Sequence, residues 1–488
     1  MAAEYLHGAE VIEINRGPVA IKTARTAVIG LVGIAPVVTD AADSPLLVLT
    51  PEDKAALGSE VPGFTIPQAL TDIFAQGYTT VIVVNAFALS MLTNVVDEVH
   101  ELADNGDGNL KVILSFAHIK AGGAISFKDG DDAAVLLVEG TDYEVDDFGK
   151  IIVYADNVGT LGEGDTLKVT YKKLDTTAVT SSVIVGDYDE ETDTYTGIQA
   201  WDLSMSKFNF HPKLLIAPGH ESATVQAALQ TKAAKYRAHY IQDLPADTDF
   251  TVTDAIAERG PANTADLFFT SSARCIPVFP YLKRELPATG AEGIRQHAAY
   301  LAGLICQTDL LDGYWFSSSN RQYNGTTGPR RTISFAINDP LCQANQLNAA
   351  GIVTVASAFG TGYRSFGNRS AAYPASTKPE NFYCVRRTAD VIYDSIELAM
   401  LEWLDKPLTK PTIDAIRESV NEFIRTLIGR GALVDGACLF EAAKNPGSEL
   451  SLGHVTFTIA IMPPTPAERI TFEAFIDVSL LKALTAGS

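Results

Sequence analysis

Four apolar runs constrain this chain most: Ala27-Val28-Ile29-Gly30-Leu31-Val32, Thr79-Thr80-Val81-Ile82-Val83-Val84, Lys213-Leu214-Leu215-Ile216-Ala217 and Ile276-Pro277-Val278-Phe279. None alternates apolar with polar residues, so each reads as a strand covered on both faces, as in a mostly parallel sheet. Helical patterns fall between them. Ile66, Ala69, Leu70, Ile73 and Phe74 recur at the spacing of one helix face, and Gly77 ends that helix. Val95, Val96 and Val99 predict the start of a second amphipathic helix. Residues 222–240 predict an Ala-rich helix, and residues 291–311 a long one ending at Asp312-Gly313. Strands alternating with helices imply an α/β layer with helices flanking a mixed sheet, assigned to residues 21–120 and 201–355.

Between those halves, residues 121–200 change character. They carry 17 acids against 5 bases, more than half of the chain's formal net charge of -22. Leu167, Val169 and Tyr171 alternate with Lys168, Thr170 and Lys172, as in a half-exposed strand. Carboxylates at this density repel one another if buried, so the segment reads as an inserted all-β module facing solvent. Residues 356–465 read as a C-terminal α+β domain, with helices over about 389–405 and 412–428. The first is expected to pack through Val391, Ile392, Ile396, Ala399, Met400 and Trp403.

Both ends carry strand-forming arms. Val11, Ile12 and Ile14 alternate with Glu13 and Asn15 before Arg16-Gly17-Pro18 breaks the run, defining an arm over residues 1–20. After Pro463-Pro464-Thr465-Pro466, the residues Ile470, Phe472, Ala474, Ile476 and Val478 fall on one face of an expected strand within 466–488. A terminal strand needs a partner, in its own sheet or in a neighbour's.

The chemistry expected from the sequence is sparse. With 37 basic and 59 acidic residues, a general affinity for nucleic acid or anionic membrane is not expected. The most apolar stretch, 27–38, contains Gly30, Gly33 and Pro36 and falls short of the ~20 residues that span a bilayer. The N-terminus lacks a basic start followed by an apolar core, so no export signal is expected. Five scattered cysteines read as buried residues of a reducing compartment. No GxxxxGK[ST], HExxH or GxSxG motif occurs, and the eight histidines show no metal-ligand spacing. No catalytic, metal-binding or cofactor-binding residue is assigned. The competing enzyme reading, an α/β hydrolase or protease with a decorating β domain, would place its nucleophile in Ser317-Ser318-Ser319-Asn320. The blander reading there is a polar turn. The Arg-rich stretch 363–369 and the pair Arg386-Arg387 combine arginine with aromatics, the composition of protein–protein contacts.

Several strings, in this order, resemble the tail sheath proteins of contractile bacteriophages and R-type bacteriocins, the Mu-like and related temperate phages above all. They are His7-Gly8-Ala9-Glu10-Val11-Ile12-Glu13-Ile14-Asn15, Thr26-Ala27-Val28-Ile29-Gly30-Leu31-Val32-Gly33, Gly140-Thr141-Asp142-Tyr143-Glu144-Val145-Asp146 and Gly164-Asp165-Thr166-Leu167-Lys168-Val169-Thr170-Tyr171. The C-terminal strings are Phe366-Gly367-Asn368-Arg369-Ser370, with Ser370 where the family more often has Thr, Val385-Arg386-Arg387-Thr388-Ala389-Asp390-Val391-Ile392 and Pro466-Ala467-Glu468-Arg469-Ile470. The resemblance implies a tail-sheath fold and a structural, non-enzymatic subunit without cofactors. It implies six-membered rings stacked around a tail tube, arms that add strands to neighbouring copies, and contraction that drives the tube through a host envelope. The implied partners are further copies of the chain, a tail tube protein, and baseplate and tail terminator proteins. The implied location is the virion, after assembly in the host cytoplasm. It also implies that the C-terminal domain faces the tube, and Lys410, Arg417, Arg425 and Arg430 are the candidate contacts.

Overall fold

The computed structural model describes residues 21–37, 44–88, 91–115, 125–145, 150–154, 161–245, 248–259, 268–286, 290–357 and 360–484. The expected N-terminal arm, with Val11, Ile12 and Ile14, lies outside the described residues.

Each apolar run forms a strand of one six-stranded sheet: β1 (Val28–Gly33), β2 (Leu46–Val48), β3 (Thr80–Asn85), β4 (Leu214–Ile216), β5 (His239–Asp243) and β6 (Cys275–Val278). Their order is β6-β5-β4-β1-β3-β2. All neighbours are parallel except β2, which runs antiparallel to β3 along Leu46↔Val83 to Val48↔Val81. Every residue of β1 is buried, and its side chains divide between two cores. Ile29 and Leu31 join Val81, Val83, Leu214 and Ile216 on one face; Val28 and Val32 join Ile82, Val84, Leu215 and Tyr240 on the other. That two-faced burial is why the strands lack polar alternation.

Helices α1 (Thr65–Gln76), α2 (Ala223–Tyr236) and α3 (His297–Leu311) cover the sheet. The expected α1 face is buried at Ile66, Ala69, Leu70 and Ile73 and packs with Leu301 and Ile305 of α3. Gly303 permits this close approach, since a Cβ there would lie 2.7 Å from the Ile73 carbonyl oxygen. Ser222 caps α2 by accepting from the Val225 N–H at 3.2 Å. The third helix starts later than expected. Residues 292–295 pair instead as a strand with Leu282–Glu285, and the helix begins at His297.

The inserted module differs from the expectation at both boundaries. Val95, Val96 and Val99 are not helical; they lie in the strand Leu92–Glu101, antiparallel to Thr166–Leu174. Valines four apart imitate a helix face, but a β-branched pair beside Thr93 favours extended backbone. Asp97, at φ 53°, forms a bulge opposite Thr170, which explains why Val96 and Val99 both face solvent while Val95 packs inward. The module is two four-stranded sheets around Leu110, Val112, Phe127, Tyr143, Ile151, Val153, Leu167, Val169 and Tyr171. At the other boundary, Ile184, Ile198, Ala200 and Trp201 are fully buried in the core beside Val28 and Leu215. Residues 176–200 therefore belong with the α/β layer.

In the C-terminal part, Thr354–Ser357 pairs with Tyr363–Phe366, and helices α4 (Tyr383–Met400) and α5 (Lys410–Gly429) follow. A hairpin of Asp435–Leu439 and Thr458–Met462 packs on α5 through Ile424, Phe423, Leu427 and Cys438. The first helix starts six residues earlier than expected, and Trp403 lies in a 3-10 turn beyond its end. Val391, Ile392 and Ile396 are buried as anticipated.

Candidate assembly surfaces

The expected C-terminal strand is absent from the single chain. Residues 463–477 form no regular hydrogen-bonded element, and a 3-10 turn spans Val478–Leu484. Ile470, Phe472, Phe475, Ile476 and Val478 are 70, 89, 85, 97 and 69% exposed. An alternating apolar segment of this kind, held in water, lacks the partner its pattern calls for. Nearby, the strands Asp435–Leu439 and Thr458–Met462 form a sheet with only two members among the described residues. On the 435–439 side, Asn421 of α5 closes the edge, accepting the Cys438 N–H at 2.8 Å and donating to its carbonyl at 3.0 Å. The 458–462 side has no strand neighbour among the described residues, the geometry into which an extended segment adds.

The root of the arm is fixed by the motif 366–369. Phe366 ends its strand and meets Phe335 edge-on at 5.0 Å between ring centroids. Gly367, at φ 132°, donates its N–H to Ser319 Oγ at 3.0 Å, and a Cβ there would lie 3.0 Å from Val353 Cα and closer still to the Asn348 amide. Asn368 is buried, and its carbonyl accepts the Tyr383 N–H at the start of α4. The Arg369 guanidinium lies over Phe382 at 3.8 Å and Tyr373 at 4.6 Å, and pairs in a fork with Glu468. Two strings 99 residues apart thus meet in one contact. The sequence showed both strings without showing that they touch.

The string 385–392 binds the C-terminal domain to the core. Arg387 in α4 makes a buried two-pronged ion pair with Asp309 in α3, at 2.9 and 2.5 Å. Asp390 receives Arg274 at 2.7 and 2.9 Å just before β6, and Arg386 at 3.2 Å. Farther along, Asp394 pairs with Lys213 and Arg237. The chain leading from the N-terminal arm is pinned to the same helix. The Ala24 N–H donates to Ser395 Oγ at 2.9 Å, and Arg25 lies over Phe210 at 4.6 Å.

The four candidate tube contacts all lie on or beside α5, on its solvent side. Lys410 and Arg430 are exposed at the two ends of the helix. Arg417 pairs with Asp414 at 3.1 Å and Arg425 with Glu418 at 2.5 Å. Two of the four charges are therefore already matched within the helix, and the face is less basic than the sequence suggested.

The candidate nucleophile is poorly placed for chemistry. Ser318 is 1% exposed and shares a 2.9 Å hydrogen bond with the Tyr383 hydroxyl, not with a histidine. The buried acid Asp243 has its pKa pushed well up by burial and by the nearby Glu221, and its Oδ1 accepts the Ala298 N–H at the start of α3. That carboxyl serves as a helix cap. His220 and His297 are pushed down by burial, to about 4 and about 3. All five cysteines are buried and free. Among the described residues no helix is long and apolar enough to cross a membrane, and no cluster of His, Cys, Asp and Glu could hold a metal ion.

Residues 193–371 match the family model of the phage tail sheath protein central domain, and residues 376–477 that of the phage tail sheath C-terminal domain. A tail sheath protein of Burkholderia phage BcepMu is 38% identical over 490 aligned residues, covering 100% of both chains. The chain belongs to the phage tail sheath family. The tail sheath protein of Escherichia phage P2 is 27% identical over 63% of this chain and 74% of its own length. Among solved structures, the contracted helical sheath of the anti-feeding prophage matches with TM-score 0.60 at 14% identity, over 97% of this chain and 100% of that one. The sheath of an extracellular contractile injection system (PVC), also contracted, matches with TM-score 0.58 at 14% identity, over 98% and 99%. At such identities the likeness is one of fold, and it extends over nearly the whole chain. Membership in this family makes the chain a structural virion component, and the hydrolase reading is not favoured.

Proposed function

We propose that this protein is the repeating subunit of a contractile tail sheath. Copies assemble as six-membered rings stacked helically around a tail tube, bounded by baseplate and terminator proteins. Contraction drives the tube through the host envelope for genome delivery, and assembly takes place in the host cytoplasm. The observation that carries this reading is the C-terminal arm. It is tied to the body at Glu468 and then exposes Ile470, Phe472, Phe475 and Ile476 with no partner among the described residues. In the proposed lattice, this arm and the N-terminal arm with Val11, Ile12 and Ile14 add strands to sheets of neighbouring copies. The outer edge of the 458–462 strand, which has no strand neighbour among the described residues, is the acceptor. Contacts of this head-to-tail kind that do not close on themselves generate open polymers.

Strand addition suits a lattice that must shorten without dissociating. Main-chain hydrogen bonds stay formed while the linkers bend, and the bodies slide to new packing. A gain of ~1–2 kcal/mol per subunit on contraction, small beside the stability of a folded domain, multiplies over hundreds of copies without any nucleotide. The helix α5 is the surface assigned to the tube, with Lys410 and Arg430 making no ion pair among the described residues and Arg417 and Arg425 paired within the helix. The acidic β module faces outward.

The test is negative-stain electron microscopy with light scattering on the purified protein and on chains lacking residues 1–18 or 466–488. Striated hollow tubes from the full chain, lost in both truncations while the core stays folded, are expected. Normal polymers from both truncations would refute the arm mechanism. Monodisperse particles at high concentration, with tube protein added, would refute the sheath reading.

A further inference from the structure

The prolines at 463, 464 and 466 are the obvious place for the C-terminal arm to bend, but the side chains put the pivot elsewhere. Arg369 is held before it meets the arm. Its backbone bridges Phe382, and its guanidinium carbon lies 3.8 Å from the Phe382 ring centroid and 4.6 Å from that of Tyr373. Only 15% of the side chain remains exposed. A guanidinium confined between two rings is already oriented, so little further freedom is lost when its fork closes on a carboxylate. Glu468 fills that fork, with Arg369 Nε donating to Oε1 at 3.0 Å and Nη2 to Oε2. The proline segment thereby spans two fixed points, the strand ending at Met462 and the clamp at Glu468. Beyond the clamp, residues 469–476 are exposed and make no backbone hydrogen bond among the described residues.

We propose that Arg369 is a positioning residue for assembly: it clamps the root of the C-terminal arm to its own subunit, so the arm pivots after Glu468 instead of at the prolines. This rests on the sheath reading for its consequence, though not for the contact itself. The segment from the pivot to Val478 is about 9 residues long when clamped and about 15 when the pivot retreats to Pro463. A shorter tether confines the arm to a smaller volume and raises its effective concentration at a neighbour by about twofold, from the −3/2 power of length. The clamp also fixes the direction in which the arm leaves the body.

Two readouts separate the contact from its role. Trypsin can cleave the exposed arm after Arg469, but the chain on both sides of the bond must yield, and the clamp restrains one side. In the full-length protein, Arg369→Ala should speed cleavage after Arg469, followed by mass spectrometry as loss of chain still joined across 469–470 (Lys482 is a second trypsin site further on), by about fivefold. Glu468→Ala changes the residue beside the cleavage site, so it serves as the second background. Adding Arg369→Ala to Glu468→Ala should then change nothing, because the partner is already gone. An equal acceleration in both backgrounds, or none in either, would overturn the clamp. The second readout is the concentration at which polymers first pellet, expected to rise by about twofold in either single variant. Faster cleavage with an unchanged assembly threshold would overturn the positioning role. Were the unmodified chain not to polymerise, the sheath reading would fall while the cleavage cycle still decided the clamp.

Discussion

The Arg387–Asp309 pair offers the sharpest quantitative test of how the C-terminal domain is joined to the core. Both side chains are nearly inaccessible, at 5 and 1% exposed, and the two hydrogen bonds of 2.9 and 2.5 Å satisfy both prongs of the fork. Burial opposes the charge on Arg387, and the Asp309 carboxylate more than offsets that opposition, holding the guanidinium pKa above its ordinary value. Asp309→Asn keeps the shape but removes the counter-charge, leaving a cation stranded in low dielectric. Breaking a buried pair from one side costs about 3–5 kcal/mol, and Arg387→Met should cost a similar amount by stranding the carboxylate. The double variant Asp309→Leu with Arg387→Met strands neither charge and should recover most of that loss. Hydrogen exchange at the amides of α4 is the suitable assay, since the pair joins that helix to α3. Each single variant should raise the open population of α4 by about two to three and a half orders of magnitude, at about 1.4 kcal/mol per decade. Single variants costing under about 1 kcal/mol, or a double equal to their sum, would refute the account of a mutually dependent buried pair.

Two further outcomes follow from burial and pairing. His297 accepts or shares a proton with the Tyr323 hydroxyl at 2.8 Å, and burial pushes its pKa down to about 3. Between about pH 6.5 and that value the unfolded chain binds a proton that the native site refuses, so this residue costs about 1.4 kcal/mol of stability per unit of acidification. Buried Asp72, pushed up to about 6 chiefly by burial, works in the opposite direction. The comparison is therefore against His297→Gln, which should gain on the unmodified chain as pH falls from 6 to 4 in urea titrations; a constant difference would show that His297 protonates in place. Replacing residues 93–173 by a short Gly/Ser linker should leave the core's thermal midpoint almost unmoved, because Leu92 and Leu174 are directly paired and paired strand residues lie about 5 Å apart. Removing 121–200 instead deletes Ile184 and Ile198, at about 2–5 kcal/mol for each core side chain, and should yield no soluble protein.

Much of the core was legible because its signals are local. A strand buried on both faces writes itself as an apolar run, and β1, β3, β4 and β6 fall where those runs lie. The α1 face was equally plain, since Ile66, Ala69, Leu70 and Ile73 repeat at helical spacing. The failures share a cause as well. Val95, Val96 and Val99 satisfy a helical spacing only because a bulge at Asp97 breaks the strand alternation that would have exposed the error. The acidic composition of 176–193 concealed the fact that Ile184 and Ile198 return to the core on either side of an exposed turn. Composition averages over a window, and a window cannot show where a few apolar residues re-enter a core.

The assembly surfaces were legible in a different way. Ion pairs such as Arg369–Glu468 and Arg387–Asp309 join positions 99 and 78 residues apart, and no local pattern states which arginine meets which acid. The arm, by contrast, was readable as a strand in need of a partner, and among the described residues it pairs with none. That is itself informative. Alternation over Ile470, Phe472, Ile476 and Val478 is the pattern of a segment that buries one face, yet the described residues supply no surface to bury it against. Local propensity and intramolecular structure disagree here, while they agree along β1 and β3. When a chain otherwise consistent across levels breaks that consistency at one end, the missing partner is sought in another molecule. The arm's root is anchored by a stacked, bidentate arginine while its apolar face is left open, an arrangement that costs solubility unless another copy covers it.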